Sequence, residues 1–292
     1  MQEKTLEIIK KAYKPYKISR KKNCIILYTM EGNICLKKNT KIDYLELYKY
    51  LKARNFTSVP DIIESTRIDY VTFEYLDDFE VDKNQKANDL IKKVAELHKK
   101  TSFKREIKED KYKEIKESIT NLVNFNKQYY STLFDKYLNQ NFYSPSELLF
   151  LKNYTLIQNA CNYCLSKIEV WAKEVKNNND ERICLIHNNL ELDHYIKNYK
   201  EYLISWDNYT FDSPIMDLYK FYQKEWNNIP FKDLFNEYNK IFELSKSERL
   251  LLDILISIPY KIPETEKEIN KCREYNKLIA YLNKSSKTVL TN

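Results

Sequence analysis

The 292-residue sequence predicts an α+β protein in which a small β-rich N-terminal part precedes a large helical C-terminal part. Short runs of strand-forming residues concentrate before residue 78, and apolar residues at helical spacing dominate after residue 83. A β-rich island at residues 183–217 interrupts the helical part. These three observations divide the chain into two parts near residue 78.

The first 22 residues predict a basic helix. Eight lysines and arginines stand here against two glutamates, so this stretch carries +6 of the formal net charge of +7. A nucleic-acid-binding protein spreads basic residues over its body, and we therefore expect no nucleic acid partner. The stretch is typical of a solvated helix face, and contact with a surface or a partner is the alternative.

Gly32 is the only glycine in the chain. Phosphate-binding loops of the G-x-x-x-x-G-K-[ST] and G-x-G-x-x-G types need several glycines, because backbone N–H groups must approach the ligand closely. The sequence therefore excludes these loops. Strand-forming residues over 24–30 and 34–38 predict a hairpin in which Gly32 takes the turn position that needs a positive φ.

A helix and a second pair of strands follow the hairpin. Apolar residues at helical spacing from Ile42 to Leu51 predict a helix that ends near Asn55. Residues 61–64 and 70–75 predict two further strands. The N-terminal part thus has the order strand, strand, helix, strand, strand.

The C-terminal part is predicted to be mostly helical. His98 ends a helix with an apolar face, which favours a buried structural histidine over a catalytic base. Residues 110–176 predict long helices, and helices resume at Pro214. Ser245 and Glu248 have the spacing of a capping box, which predicts the start of another helix.

The cysteines and the start of the chain favour a reducing compartment. Met1 leads directly into a lysine-rich stretch without the apolar core of a signal peptide, so we expect a cytoplasmic origin and free thiols. Cys161 and Cys164 lack a second pair that would complete a metal site, and their helical setting predicts a buried helix face. No apolar run approaches 18 residues, so we expect no transmembrane helix.

The β-island carries the segments that point to a function. They read CLIHNNLELDHYI at 184–196, YLISWD at 202–207 and FDSPIMDL at 211–218. This series resembles the catalytic region of the aminoglycoside phosphotransferase and choline kinase superfamily. That superfamily has H-G-D-x-x-x-x-N, then a strand ending in I-D-F/W, then a D-x-P-x-x-D-L element that opens a helix. Within it, the closest likeness is to the bacterial spore coat protein S (CotS) group.

The resemblance extends to the N-terminal part and implies nucleotide contacts there. Lys37 resembles the strand lysine that reaches nucleotide phosphates, and Glu46 is the one glutamate on the following helix that could pair with it. Glu74 and Leu76 fall where the hinge is expected. Without a nucleotide, Lys37 and Glu46 could persist as a scaffold ion pair.

Taken together, these signals imply a protein kinase-like two-lobed fold. Residues 95–98 resemble the L-A-x-x-H helix of the superfamily, and residues 247–259 resemble the late E-x-x-L…P segment of the spore coat group. The resemblance implies an N-lobe at 1–78 and a helical C-lobe at 79–292, with a degenerate catalytic β-island at 183–217.

Three residues at the catalytic positions of the superfamily differ here. The catalytic aspartate falls on Asn189, the metal-binding asparagine on His194 and the metal-binding aspartate on Ser205. Asn189 is a neutral amide that cannot accept a proton. His194 is a poor Mg²⁺ ligand, and Ser205 lacks the negative charge that anchors the metal. The chain has therefore lost the base and both metal ligands.

Asp193 and Asp207 are possible substitutes for the lost metal ligands. If the strand that holds Ser205 is regular, Asp207 points to the same side, about 6 to 7 Å further along. Asp193 is adjacent to His194, and turning inward would bring its carboxylate to the same place. The alternative is that both are surface carboxylates of a dead site.

The other motif residues are expected to keep structural roles. His187 resembles the histidine that braces the catalytic loop through backbone contacts, and Asp217 resembles the aspartate that anchors the helix after Pro214. Asn188 replaces the motif glycine and is a non-glycine residue that tolerates a positive φ. The loop shape is therefore expected to persist without the chemistry.

The sequence predicts a catalytically degenerate kinase-fold protein, or pseudokinase. By resemblance, it would be a structural component or assembly factor of the endospore coat in a low-GC Gram-positive bacterium, made in the mother-cell cytoplasm, with other coat proteins as partners. No cofactor is expected for that role. Two alternatives stay open: a phosphotransferase acting on an alcohol or amine with ATP or GTP and Mg²⁺, and a nucleotide-binding module without turnover.

Tyrosine is abundant, with 25 residues. The pattern predicts that several are exposed, including Tyr130, Tyr195, Tyr199 and Tyr222. Exposed tyrosines suit an assembling protein, since tyrosine is enriched at interfaces. A coding bias toward AT-rich codons explains the count equally well.

Overall fold

The computed structural model describes residues 2–21, 24–38, 42–64, 70–106, 109–176, 178, 180–263 and 265–289. The chain forms two compact units: a first unit of Met1–Thr101 and His187–Thr210, and a second unit of Ser102–Ile186 and Phe211–Asn292. Residues 79–101 and 187–210 thus group with the N-terminal sheet, whereas the sequence assigned them to the C-lobe. The lobe boundary at residue 78 stays a prediction.

The four predicted strands of the first 101 residues and the helix between the two strand pairs occur in the predicted order, and one further strand precedes them. The elements of these residues are α1 (Gln2–Tyr13), β1 (Lys17–Lys21), β2 (Cys24–Thr29), β3 (Gly32–Lys38), α2 (Tyr44–Ala53), β4 (Ile62–Glu64), β5 (Tyr70–Glu74) and α3 (Lys83–Thr101). The strands form an antiparallel sheet in the order β1-β2-β3-β5-β4. Gly32 has a φ of 130°, which confirms the prediction from the hairpin.

Within the first 101 residues, strand β1 is the element that the sequence did not predict. The basic N-terminal helix is present, but it ends at Tyr13, and Lys17–Lys21 then pairs with β2 as an edge strand. Four of its five residues are exposed. A strand without an apolar face lacks the alternation by which strands are recognised in sequence, and charged side chains are typical of an edge.

The remaining elements run from residue 103 to residue 288. They are β6 (Phe103–Glu106), α4 (Glu109–Leu138), α5 (Pro145–Val175), β7 (Asp180–Ile186), β8 (Tyr195–Lys197), β9 (Glu201–Leu203), β10 (Thr210–Asp212), α6 (Ile215–Glu225), α7 (Phe231–Ile241), α8 (Lys246–Ser257) and α9 (Glu268–Thr288). Two short 3₁₀ turns lie at Leu192–His194 and Trp206–Asn208. The predicted island therefore contains strands, as expected. Outside it the elements are helices, except for strand β6, which the sequence did not predict and which pairs with β7.

Helices form the core of the second unit. Cys161 and Cys164 are fully buried on α5, which confirms the predicted buried face. The predicted capping box is present at the start of α8, where the Ser245 side chain accepts from the Glu248 N–H. Among the described residues, no helix is long and apolar enough to cross a membrane.

The predicted exposure of the tyrosines is wrong for three of the four named above. Tyr130 and Tyr195 are fully buried and Tyr222 is 1% exposed, whereas Tyr199 is 95% exposed. The Tyr130 hydroxyl donates to the Tyr260 carbonyl at 2.6 Å, and the Tyr195 hydroxyl donates to the Glu201 carboxylate at 2.9 Å. A ring with a paired hydroxyl packs in a core without a desolvation penalty, so these residues do not support an assembly surface.

Candidate functional site

The candidate site is a cavity of about 450 Å³ that lies within the first unit. Strands β1, β2, β3 and β5, helix α2, and the chain between residues 193 and 205 contribute to its walls. Five residues that the sequence singled out line it: Lys37, Glu74, Leu76, Asp193 and Ser205. Its volume lies within the range of small-molecule sites.

Lys37 is paired with Asp207. The Lys37 Nζ contacts Oδ2 of Asp207, and the Tyr44 hydroxyl donates to Oδ1 at 2.6 Å. The Lys37 and Asp207 side chains are 14% and 24% exposed, so the pair is partly shielded from water. Both oxygens of the Asp207 carboxylate are therefore engaged by residues of β3 and α2.

The predicted pairing of Lys37 with Glu46 is not observed. Tyr44, Leu47, Tyr48 and Leu51 form the buried face of α2, and Glu46 lies on the exposed face. At 3.6 residues per turn, position 46 falls opposite positions 44, 48 and 51. Helix geometry therefore turns Glu46 away from the sheet. Tyr44, on the buried face of α2, is the residue of this helix that contacts Asp207.

Asp207 does not follow Ser205 along a regular strand. Strand β9 ends at Leu203, Ser205 is left-handed with φ 66° and ψ 48°, and Asp207 lies in the second 3₁₀ turn. Trp206 is fully buried, and its indole N–H donates to the Leu203 carbonyl at 2.8 Å. The left-handed serine and the 3₁₀ turn after it place the Asp207 carboxylate in contact with the Lys37 ammonium.

His187 and Asn188 join the start of the motif loop to the turn that follows β9. His187 is fully buried, its Nε2 lies 2.8 Å from the Ile204 carbonyl oxygen, and its ring packs edge-on against Trp206 with centroids 4.8 Å apart. Asn188 has a φ of 62°, which confirms the predicted positive φ. Its side-chain amide donates to the Asn208 carbonyl at 2.8 Å.

The His194 ring is hydrogen-bonded to the backbone of Asn189. The His194 Nδ1 is 2.8 Å from the Asn189 carbonyl oxygen. A carbonyl only accepts, so Nδ1 carries the proton and donates. In the neutral ring Nε2 is then the acceptor, and it lies 3.9 Å from a Glu191 carboxylate oxygen. One imidazole nitrogen of His194 is therefore left without a hydrogen on the ring, where the resemblance predicts a metal-binding asparagine.

The donor set around this loop does not fit Mg²⁺. The ion prefers six oxygen ligands in near-octahedral geometry, whereas both Asp207 oxygens are engaged and His194 offers a nitrogen. Asp193 lines the cavity as an exposed side chain. Among the described residues, no group of three or more His, Cys, Asp or Glu side chains is placed to hold a metal ion.

Glu74 is hydrogen-bonded to Asp61 through both its backbone and its side chain. Its backbone N–H donates to the Asp61 carbonyl at 3.1 Å, and its carboxylate accepts from the Asp61 N–H at 2.9 Å. Next to it, the Tyr75 N–H donates to the Asn33 carbonyl at 3.0 Å. Glu74 therefore ties β5 to the chain before β4, while Leu76 presents an apolar side chain to the cavity.

The two remaining predicted residues lie in helices. His98 is fully buried in α3 of the first unit, and Asp217 is fully buried in the first turn of α6 of the second unit. Neither is among the residues that line the cavity. Their burial suits the structural roles proposed for them.

Sequence reasoning missed Tyr44, Cys24 and Cys35 as site residues. All three line the cavity. Alternation within β2 and β3 indicates that each cysteine shares a face with its neighbours two positions away. Which face turns toward the cavity depends on how the hairpin pairs and folds, so that signal was incomplete.

Solved structures with similar folds are phosphotransferases. The chain is similar to an aminoglycoside phosphotransferase from Alicyclobacillus acidocaldarius subsp. acidocaldarius DSM 446, with a TM-score of 0.67 and 9% identity over 94% of this chain and 90% of that chain. The AMP-bound spectinomycin phosphotransferase APH(9)-Ia has a TM-score of 0.52 and 10% identity over 98% of both chains. The fold is kinase-like.

These similarities confirm the predicted α+β fold, and at such identities they define the fold alone. The choline kinase LicA from Streptococcus pneumoniae aligns with a TM-score of 0.46 and 12% identity over 94% of this chain and 98% of that chain. No family model and no curated protein matches the sequence. The likeness to the spore coat group therefore enters only as a proposal.

Proposed function

We propose that this protein is a pseudokinase, a kinase-fold protein without phosphotransferase activity. The observation that carries the proposal is the engagement of Asp207, the acidic residue best placed to replace the lost metal ligands. Its carboxylate is held by Lys37 and Tyr44. Coordinating Mg²⁺ with this carboxylate would require breaking a partly shielded ion pair, and no second carboxylate stands at Ser205 to compensate.

The base position supports the same conclusion. Asn189 cannot accept a proton, and general-base catalysis typically contributes about 10²- to 10⁴-fold in rate. Phosphoryl transfer depends on positioning and on neutralising charge with metal ions. A site without base, metal anchor or available lysine lacks each of these contributions.

Restoring the motif tests this proposal. The variant carrying Asn189→Asp, His194→Asn and Ser205→Asp is compared with wild type for ATP and GTP hydrolysis and for phosphate transfer to alcohols and amines. We expect wild type to stay at background. Transfer by wild type at a rate equal to that of the folded triple variant would overturn the proposal.

We further propose a structural or assembly role in the bacterial endospore coat, with synthesis in the mother-cell cytoplasm and other coat proteins as partners. The support is the resemblance of the β-island and of residues 247–259 to the spore coat protein S group. Fractionation of sporulating cells with a specific antibody tests this role. Recovery in coat extracts is expected, and expression confined to vegetative cells would contradict it.

A second candidate is a nucleotide-binding module without turnover. The cavity favours it, because its volume of about 450 Å³ suits a small ligand and it is lined by Lys37, Glu74 and Leu76. Thermal-shift titration with ATP and GTP, with and without Mg²⁺, separates the candidates, since a ligand that binds the folded state raises Tm. A scaffold shows no shift, a binding module shows a shift without Mg²⁺, and a Mg²⁺-dependent shift with turnover would support an enzyme.

A further inference from the structure

Cys24 stands between two lysines on one face of the N-terminal sheet. The register places Cys24 opposite Lys21 of β1 and opposite Lys37 of β3. Directly opposite residues of antiparallel strands project to the same face, and all three side chains line the cavity. The Cys24 sulfur is therefore flanked by cations from both neighbouring strands.

Cys35 brings a second thiol to this face. It lies opposite Ile26 and two positions from Lys37, which makes it the diagonal neighbour of Cys24. A hydrogen bond from the Cys35 thiol lowers the pKa of Cys24 below its ordinary value of 9.0; burial opposes the shift, and Lys21 and Lys37 add to it. The same bond and burial raise the pKa of Cys35. The directions of these two shifts favour the thiolate at Cys24, with Cys35 as the hydrogen-bond donor.

We propose that Cys24 is a nucleophilic modification site on the cavity wall, which reacts with an anionic low-molecular-weight disulfide and keeps one half of it as a mixed disulfide. The Cys24 thiolate attacks one sulfur of R–S–S–R and forms a Cys24 Sγ–S bond to that half. The S–S bond of the reagent breaks, and its electron pair leaves with the second half as R–S⁻, which takes a proton from water. The disulfide is the oxidant and is reduced to one thiol. Lysines beside a cysteine promote this chemistry by favouring the thiolate.

The register explains why the product stays a mixed disulfide. Diagonal neighbours across antiparallel strands have Cα atoms about 7 to 8 Å apart, and cysteines separated by more than about 7 Å form a bridge only if the backbone moves. Cys35 therefore remains a hydrogen-bond donor. An internal Cys24–Cys35 disulfide would require β2 and β3, the two strands of the hairpin, to shift relative to each other.

The charge near Cys24 selects an anionic disulfide. Lys37 is engaged by Asp207. Lys21 is exposed, lines the cavity and places its ammonium 5.9 Å from the Tyr75 ring centroid. Lys21 can therefore bind a carboxylate of the incoming disulfide. The half that stays attached to Cys24 would then lie in the cavity.

The other cysteines provide the comparison. Burial raises the pKa of Cys161, Cys164 and Cys184, so these thiols are poor nucleophiles. Cys272 is free and partly exposed. It serves as an internal control for reactivity due to exposure alone.

The test exposes the full-length reduced protein to oxidised glutathione, which is anionic, 2-hydroxyethyl disulfide, which is neutral, and cystamine, which is cationic. Intact mass and peptide mapping follow the product. We expect one glutathione adduct at Cys24, reversed by dithiothreitol and absent from Cys24→Ser. The rate is expected to fall from the anionic to the cationic reagent, and Cys272→Ser should react as wild type does.

Two variants separate the roles of the neighbours. Lys21→Gln is expected to slow the reaction with oxidised glutathione several-fold and the reaction with 2-hydroxyethyl disulfide much less. Cys35→Ala removes the hydrogen-bond donor, and we expect it to slow both reactions and to raise the pH at which the rate is half-maximal. Circular dichroism confirms folding of each. Modification of Cys272 before Cys24, a loss of two hydrogens without an adduct, or unchanged rates in both variants would overturn the proposal. None of these results depends on whether the protein has kinase activity.

Discussion

Lys37 and Asp207 are 170 residues apart in the sequence and are joined in an ion pair. Tyr44 donates to the second oxygen of the same carboxylate. One aspartate thereby connects the central strand of the sheet, the helix that follows it and the turn after the motif loop. Lys37, which resembles a lysine that reaches nucleotide phosphates, is therefore paired within the protein.

Breaking this pair should destabilise the first unit. Asp207→Asn leaves the Lys37 ammonium partly shielded without its carboxylate, and we expect a loss of about 1 to 3 kcal/mol in the free energy of unfolding. Urea denaturation measures it. The matched control is Glu46→Gln on the exposed face of α2, expected within about 0.5 kcal/mol of wild type. Equal losses in the two variants would contradict the assignment of Asp207 as the partner of Lys37.

The left-handed conformation of Ser205 predicts an unusual tolerance to substitution. Asparagine adopts a positive φ readily, whereas a β-branched residue does so at a substantial cost. We expect Ser205→Asn to keep the Tm of wild type and Ser205→Val to lose about 1 to 2 kcal/mol, read as a lower Tm. If the valine variant has the same Tm as the asparagine variant, Ser205 is not left-handed in solution.

The hydrogen bond of His187 should matter more than the volume of its ring. His187→Phe keeps an aromatic ring against Trp206 but removes the bond to the Ile204 carbonyl. Leaving a buried acceptor without its donor costs about 1 to 3 kcal/mol, and we expect the lower end of that range because the Ile204 carbonyl is only partly buried. Hydrogen exchange of the Ile204 N–H, which donates to the His194 carbonyl at 2.9 Å, reports the local opening. Unchanged protection of this N–H would show that the bond is dispensable.

Acid should weaken the second unit through Glu181. Burial alone would raise the pKa of Glu181, but hydrogen bonds from Lys111 and Arg105 outweigh it and lower the pKa below the ordinary value of 4.5. A lowered folded-state pKa contributes stability above pH 4.5, and that contribution is lost as the pH falls through the folded-state value. Glu181→Gln is expected to lose about 0.5 to 1 kcal/mol at pH 7, because its partners are exposed.

The measurement for Glu181 is denaturant unfolding at pH 7 and at pH 3. The difference between wild type and Glu181→Gln should shrink at the lower pH. Exposed Asp110, which pairs with Lys113 at 3.5 Å, gives the matched control Asp110→Asn, which is expected to unfold within about 0.5 kcal/mol of wild type at pH 7. A difference for Glu181→Gln that is constant with pH would refute the ion-pair explanation.

Much of the local structure follows from residues close in sequence. The turn at Gly32, the buried cysteines of α5 and the capping box of α8 were all predicted correctly. Each depends on interactions within a few residues, such as helical periodicity or the φ preference of glycine. Edge strand β1 was not predicted, because most of its residues are exposed and its sequence lacks the alternation of apolar and polar residues by which strands are recognised.

The site divides in the same way. By resemblance, the sequence alone predicted that Asn189, His194 and Ser205 stand where the superfamily has its catalytic base and its metal ligands, since this prediction depends only on residue identity and order. Tertiary structure decided that Asp207 pairs with Lys37 and that Cys24 lies between two lysines. Those contacts depend on strand register, on the face that α2 presents and on a left-handed serine, and a serine has no strong local preference for that conformation. Long-range contacts of this kind arise only when the packed chain brings distant segments together.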